Sequence, residues 1–182
     1  MKKYLITSPE HYTQESSSFK KALEASFMRH SPDFALYRDK ENANYKGLAK
    51  IFVKLCKDYK VKAFVHGDYL LASELGADGV HLTSTQLSEI QNAKEKNLEV
   101  GISSHTTEEV LEAQELGASY VTYSPIFASP GKGEPKGIED LKALLECCEI
   151  KVFALGGIVN EEQVQEIQNT KVYGFASIRY FY

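Results

Sequence analysis

Short apolar runs alternate with amphipathic segments along the whole chain. The β-type runs fall at residues 4–7, 34–37, 63–66, 79–82, 100–103, 120–123, 152–155 and 172–178. Each is brief and bounded by Gly, Ser or Asp, as expected of strands buried on both faces. Between them, apolar residues recur at helical spacing. Phe19, Leu23 and Phe27 share one face of residues 16–29, and Leu48, Ile51, Phe52 and Leu55 stack along 45–59. Further helices are predicted at 69–75, 85–96, 107–116, 138–148 and 161–169. Ser84 is a candidate cap for one, and Thr106 with Glu109 forms a capping-box pattern for the next. Leu75-Gly76-Ala77 and Leu116-Gly117-Ala118 each end a helix in glycine before a strand.

Eight strands with seven helices between them predict an α/β fold, a (β/α)8 TIM barrel filling residues 1–182 as one domain. A doubly wound open sheet is the structural alternative, because periodicity does not separate the two. The chain is short for a barrel, which typically runs to about 250 residues. Strand eight leads straight into Ile178-Arg179-Tyr180-Phe181-Tyr182, so the expected form lacks the last helix. Cover for that outer face is expected from a partner subunit or from the first helix shifted sideways. The aromatic tail either joins such an interface or packs on its own barrel.

The 182 residues carry a net charge of −4, which gives no electrostatic footprint for nucleic acid or an anionic membrane. No apolar run approaches the roughly 20 residues that span a bilayer. The apolar stretch near Met1 is too brief for a secretory leader. Cys56, Cys147 and Cys148 form an odd set without metal spacing, which fits a reducing cytoplasm. Redox catalysis is not expected: the dinucleotide fingerprint and paired redox cysteines are both missing.

In a barrel, reactive groups gather just after the carboxyl ends of the strands. Those positions hold Arg38 and Lys40 after strand two, His66 and Asp68 after strand three, and Ser103 and His105 after strand five. A Gly/Pro/Ser-rich loop after strand six carries Ser129, Lys132 and Lys136. Gly156 and Gly157 follow strand seven, while Ile178 and Arg179 end strand eight. Arg grips phosphate oxygens bidentately, Lys supplies a point charge, and glycine lets an anion approach backbone N–H groups. Together they predict a phosphorylated small-molecule ligand. His81, inside an apolar run, is read as structural. Arg179 either adds charge at a phosphate subsite or turns outward to a dimer surface.

The chain resembles the thiamine phosphate synthase superfamily, including its thiazole tautomerase (TenI) branch, over nearly its whole length. The resemblance rests on Tyr37-Arg38-Asp39-Lys40, Gly76-Ala77-Asp78-Gly79-Val80-His81-Leu82, Gly101-Ile102-Ser103-Ser104-His105-Thr106, Ser124-Pro125-Ile126-Phe127 and Ala154-Leu155-Gly156-Gly157-Ile158. It implies a synthase joining a pyrimidine methyl diphosphate to a thiazole phosphate, with Mg²⁺ assisting pyrophosphate release. Arg38, Lys40, Ser103 and Lys132 would hold the diphosphate. Ser129, Gly157 and the backbone near Ile178 would hold the thiazole phosphate. A homodimer is also implied.

The family motifs are degraded. Where the synthase carries Asn-Asp after strand three, this chain has His66 and Gly67, and Asp68 serves only if the loop slips by one residue. The second metal carboxylate falls at Gln86, so Mg²⁺ would be held largely by the substrate. The strand-two glutamine is Leu36, and the histidine of the tautomerase branch is Pro125. Three readings therefore stand: a synthase using Asp68, a thiazole tautomerase using His66 or His105 near an ordinary histidine pKa, and a non-catalytic thiazole-phosphate binder.

Overall fold

The computed structural model describes all of Met1–Tyr182. Eight parallel strands close into a barrel in chain order: β1 Lys2–Ile6, β2 Phe34–Tyr37, β3 Lys62–His66, β4 Gly79–Leu82, β5 Glu99–Ser104, β6 Tyr120–Tyr123, β7 Lys151–Leu155 and β8 Gly174–Ser177. Closure comes from β1 pairing with β8, Tyr4 opposite Ala176, which excludes the open sheet. The helices are α1 Pro9–Tyr12, α2 Ser16–His30, α3 Tyr45–Asp58, α4 Tyr69–Leu75, α5 Ile90–Glu95, α6 Thr107–Glu115, α7 Gly137–Cys147 and α8 Glu161–Gln168. None is long and apolar enough to cross a membrane.

Side chains alternate along each strand between the barrel axis and the helical layer. Outward residues join the helices in a large apolar layer that includes Leu5, Val65, Val80 and Val121. Inward ones form a compact aromatic plug: Tyr4, Phe34, Phe64, Tyr120 and Phe153, almost fully buried. Their ring centroids lie 5.1–6.2 Å apart, mostly tilted or edge-on, the arrangement favoured by aromatic quadrupoles. Gly101 leaves the space that the Tyr120 ring fills. The plug seals the lower barrel, so a cavity can open only above it.

Several boundaries differ from the sequence pattern. The predicted helix 85–96 is a 3₁₀ turn at Leu87–Glu89 followed by the shorter α5, and Ser84 caps nothing. The cause is Gln86, whose side-chain oxygen accepts from Thr83 N at 3.1 Å while its amide donates to Gly67 O at 2.9 Å, folding residues 83–86 into a turn. Helix α1 was not predicted; four residues are too few for periodicity, and its one sequence signal is Pro9 at the first turn. Thr106 does cap α6, accepting from Glu109 N at 3.2 Å. Glu109 reaches one residue past the usual capping-box partner, to His105 N at 2.5 Å. Gly76 and Gly117 take the expected left-handed turns, with φ of +65° and +81°.

The outer face of β8 is covered by the chain itself. Residues Arg179–Phe181 form a 3₁₀ turn that folds Phe181 inward, stacked on Phe175 at 5.7 Å. Ser26 of α2 donates to Phe181 O at 2.9 Å, tying that turn to the first full helix. The aromatic tail thus packs on its own barrel, and the first full helix, α2, contributes to the cover there.

Candidate functional site

Above the aromatic plug, at the carboxyl ends of the strands, lies a cavity of about 590 Å³. Arg38, Lys40, His66, Ser103, His105, Ser129, Lys132, Gly156, Gly157, Ile178 and Arg179 all line it. Arg179 is thus part of the rim of the cavity. Asp68, and Lys136 of the loop after β6, are not brought there. Asp68 begins α4, its carboxylate accepting from Leu71 N at 2.8 Å. A helix start after β3 needs an acceptor for its free N–H groups, and Asp68 supplies it.

Short polar ties hold the lining in place. Thr7 at the end of β1 accepts from Arg38 N at 3.0 Å. The loop after β6 is stitched to the end of β7: Ile126 N donates to Leu155 O at 2.9 Å and Phe127 N to Gly156 O at 3.0 Å. Ser129 O accepts from Lys132 N at 3.2 Å, closing a turn that presents both residues. Gly156 and Gly157 have φ of +100° and +70°, and added Cβ atoms would lie 2.7 Å from Pro125 Cα and 2.5 Å from Ala128 O. The double glycine therefore lets two loops meet at the cavity wall. Lys136 leaves the site, its ammonium 4.9 Å from the Tyr123 ring centre.

The charge is lopsided. Arg38, Lys40, Lys132 and Arg179 face one lining carboxylate, Glu10. None of the four cations belongs to any of the chain's salt bridges, which join Lys2, Lys46, Lys54, Lys62 and Lys142 to acids elsewhere. Burial, then the charges of Arg38 and Lys40, lower the His66 pKa to about 4. The sequence expectation of an ordinary histidine pKa fails at His66 for that reason. His105 contacts Ser124 O at 3.2 Å through Nδ1. The Ser124 hydroxyl lies 3.3 Å from the same nitrogen, so Nδ1 can donate to the carbonyl or accept from the hydroxyl, and the contact holds the ring at the cavity edge with either tautomer.

A hard divalent cation wants several carboxylate oxygens, and the lining offers one carboxylate, Glu10. Gln86, at the second carboxylate position, is consumed by Thr83, Gly67 and Glu89. Asp68 caps α4, and Asp39 is held by the Gln14 amide at 3.1 and 3.2 Å. No cluster of three His, Cys, Asp or Glu residues stands in metal-binding array. The protein side of the site does not fit Mg²⁺, and no chemical step is assigned to it.

Among the titratable residues of the lining, sequence reasoning missed three. Glu10 and His11 arrive on the unpredicted α1, and His81, read as structural, also reaches the lining. The signal for His81 was available: in β4 it alternates with Val80 and Leu82 and shares the inward face of Gly79.

Fold and site together define a class, the short-form (β/α)8 barrels with a cationic cavity at their strand ends. Comparison narrows it: residues 3–181 match the model of the thiamine monophosphate synthase family, and the chain belongs to that family. A relative from Aquifex aeolicus is 34% identical over 145 residues, 78% of this chain and 77% of its own length. The thiamine-phosphate synthase of Clostridium acetobutylicum is 32% identical over 130 residues, covering 69% of this chain but 61% of that protein. Among solved structures, the thiamine phosphate pyrophosphorylase of Pyrococcus furiosus superposes with a TM-score of 0.79 at 31% identity, covering 97% of this chain and 85% of that one.

Proposed function

We propose that this chain binds a thiazole phosphate and joins it to a pyrimidine methyl diphosphate, releasing pyrophosphate. The observation that carries the reading is the set of four cations, Arg38, Lys40, Lys132 and Arg179, left without acidic partners around one cavity. Unpaired positive charge at a concave site suits a multiply charged anion. Arg38, Lys40, Ser103 and Lys132 are assigned to the diphosphate, and Ser129, Gly157 and the backbone at Ile178 to the thiazole phosphate. His66, held neutral beside Arg38 and Lys40, adds a polar contact without adding charge.

In the step itself the thiazole nitrogen forms a bond to the pyrimidine methylene carbon. The carbon–oxygen bond to the diphosphate breaks, and pyrophosphate departs with that electron pair. The cations stabilise the negative charge growing on the leaving group, and the cavity walls hold the two rings within bonding reach. The degraded acidic positions place the burden of charge stabilisation on these side chains.

His105 supports a second reading, a thiazole tautomerase, because it places an imidazole able to take or give a proton in the same cavity. A cytoplasmic setting accords with three free cysteines. A homodimer is proposed on family likeness alone and is checked by light scattering.

Release of pyrophosphate from the two substrates tests the first reading. No release at high protein concentration removes it; solvent deuterium entering a thiazole carboxylate phosphate, and lost in His105→Ala, then favours the second. Calorimetry with inorganic pyrophosphate and Lys132→Ala tests the diphosphate assignment. Loss of a hydrogen bond to a charged group should weaken binding by about 1.5–3 kcal/mol. Unchanged affinity removes Lys132 from the site.

A further inference from the structure

Beneath the cavity floor, His81 joins two layers of the barrel. Its Nε2 is 3.0 Å from Ser103 Oγ, which lines the cavity. Its Nδ1 lies 3.3 Å from Tyr4 OH and 3.2 Å from Tyr120 OH, and the two phenols are 2.7 Å apart. Tyr4, Tyr120 and His81 are at most 2% exposed, and the phenols have no other polar partner. A serine beside a histidine in a pocket invites a nucleophile–base reading, in which Nε2 accepts the serine proton.

Counting hydrogens in the closed triangle gives the opposite polarity. Two phenol protons must find acceptors among three atoms. If Nδ1 is bare, one phenol donates to the other, which donates to Nδ1, and every group is satisfied. If Nδ1 carries a proton, three hydrogens compete for two phenol oxygens already bonded to each other. One buried hydrogen is then orphaned, a penalty that native interiors avoid. The aromatic plug admits no relief from solvent. Burial also holds the ring neutral, with its pKa lowered to about 3, so a doubly protonated ring is not an option near pH 7.

We propose that His81 is a positioning residue: locked as the Nε2–H tautomer, it donates to Ser103 Oγ and turns the Ser103 hydroxyl proton into the cavity. Ser103 is then a fixed hydrogen-bond donor for an anionic oxygen and not a nucleophile. The ligand half of this proposal rests on the phosphate reading above, and the tautomer half does not. Hydrogen placement follows here from network closure, which nitrogen spectra measure directly.

The test uses the full chain with ¹⁵N-histidine. Long-range ¹H–¹⁵N spectra should give His81 a protonated Nε2 and an unprotonated Nδ1. In calorimetry with inorganic pyrophosphate, Ser103→Ala should lose roughly 10- to 100-fold in affinity, as expected for a hydrogen bond to a charged group. His81→Leu should lose roughly 3- to 10-fold by freeing the serine rotor, with no added loss in the double variant. His81→Gln, whose amide donates upward and accepts from below, should restore most of the binding. An Nδ1–H tautomer in a protein that binds pyrophosphate overturns this proposal alone, as does a His81→Gln variant as weak as His81→Leu. Absence of pyrophosphate binding in the wild type, with Nε2–H observed, overturns the phosphate reading and with it the ligand half. The spectra of the wild type decide the tautomer even if a His81 variant does not fold.

Discussion

Replacing Gly157 by alanine separates two reasons for a glycine at the cavity wall. Its φ of +70° disfavours any side chain, and a Cβ there would lie 2.5 Å from Ala128 O and 2.7 Å from Phe127 C. Gly76 is the matched control, with φ of +65° and nothing within 4 Å of an added Cβ. A left-handed non-glycine costs about 1–2 kcal/mol at either position. Crowding against backbone adds about 1–3 kcal/mol at Gly157 only, because carbonyl atoms cannot swing aside as a side chain can. The smaller unfolded-state entropy of alanine offsets both variants equally, so it cancels in the comparison. For a domain of this size each kcal/mol moves the melting temperature by about 2–4 °C. Gly157→Ala should therefore melt about 2–12 °C below Gly76→Ala, measured by scanning calorimetry at pH 7.5. Because Phe127 and Ala128 lead directly to Ser129, thiazole phosphate affinity should fall in Gly157→Ala and stay at the wild-type level in Gly76→Ala. Equal melting losses, or wild-type affinity in both, would refute the claim that the double glycine exists to let the two loops meet.

Two further outcomes follow from the site. Asp68→Ala should cost about 0.5–2 kcal/mol in urea denaturation through the lost α4 cap, while pyrophosphate release stays at the wild-type rate; a collapse of turnover in a folded variant would return Asp68 to the chemistry. Stability should also fall with acidification. His66 and His81 have folded pKa values lowered to about 4 and about 3 from 6.5, so between these limits the unfolded chain binds more protons. Their contribution is complete above pH 6.5 and is lost as pH falls toward the folded values. Urea midpoints compared at pH 7.5 and 5.2, above most of the carboxylate range, should drop in the wild type and drop less in His66→Gln; a flat profile would contradict the burial of both rings.

The barrel was legible because its determinants are local and repeated. Strands such as Phe34–Tyr37 and Tyr120–Tyr123 are buried on both faces, so short apolar runs mark them to the residue. The cations were legible for a related reason: they sit in sequence directly after strand ends, and strand ends all reach one face. Asp68 shows where that reasoning stops. Position after a strand does not tell a ligand from a helix cap, because both need an exposed carboxylate at the same place. Gln86 shows a second failure. A helical pattern from residue 85 is real in the sequence, but one amide bridging Thr83 and Gly67 outcompetes the first helical turn.

His81 was the hardest residue to read, and the difficulty is physical. Alternation in β4 puts it inside the barrel, where a neutral histidine is most often a satisfied core group. It is satisfied, by two phenols from β1 and β6 that lie 77 and 39 positions away in sequence. Yet satisfying Nδ1 from below fixes what Nε2 offers above, so structural and functional roles are two ends of one ring. The same logic runs through the site. Groups with protein partners, such as Asp39, Asp68 and Gln86, stay off the lining and hold the loops and helix starts behind it. Groups left without one, Arg38, Lys40, Lys132 and Arg179, are available to a ligand. Pairing is decided by tertiary contacts, which residue type and spacing do not encode, so the fold was readable before the division of labour within the cavity.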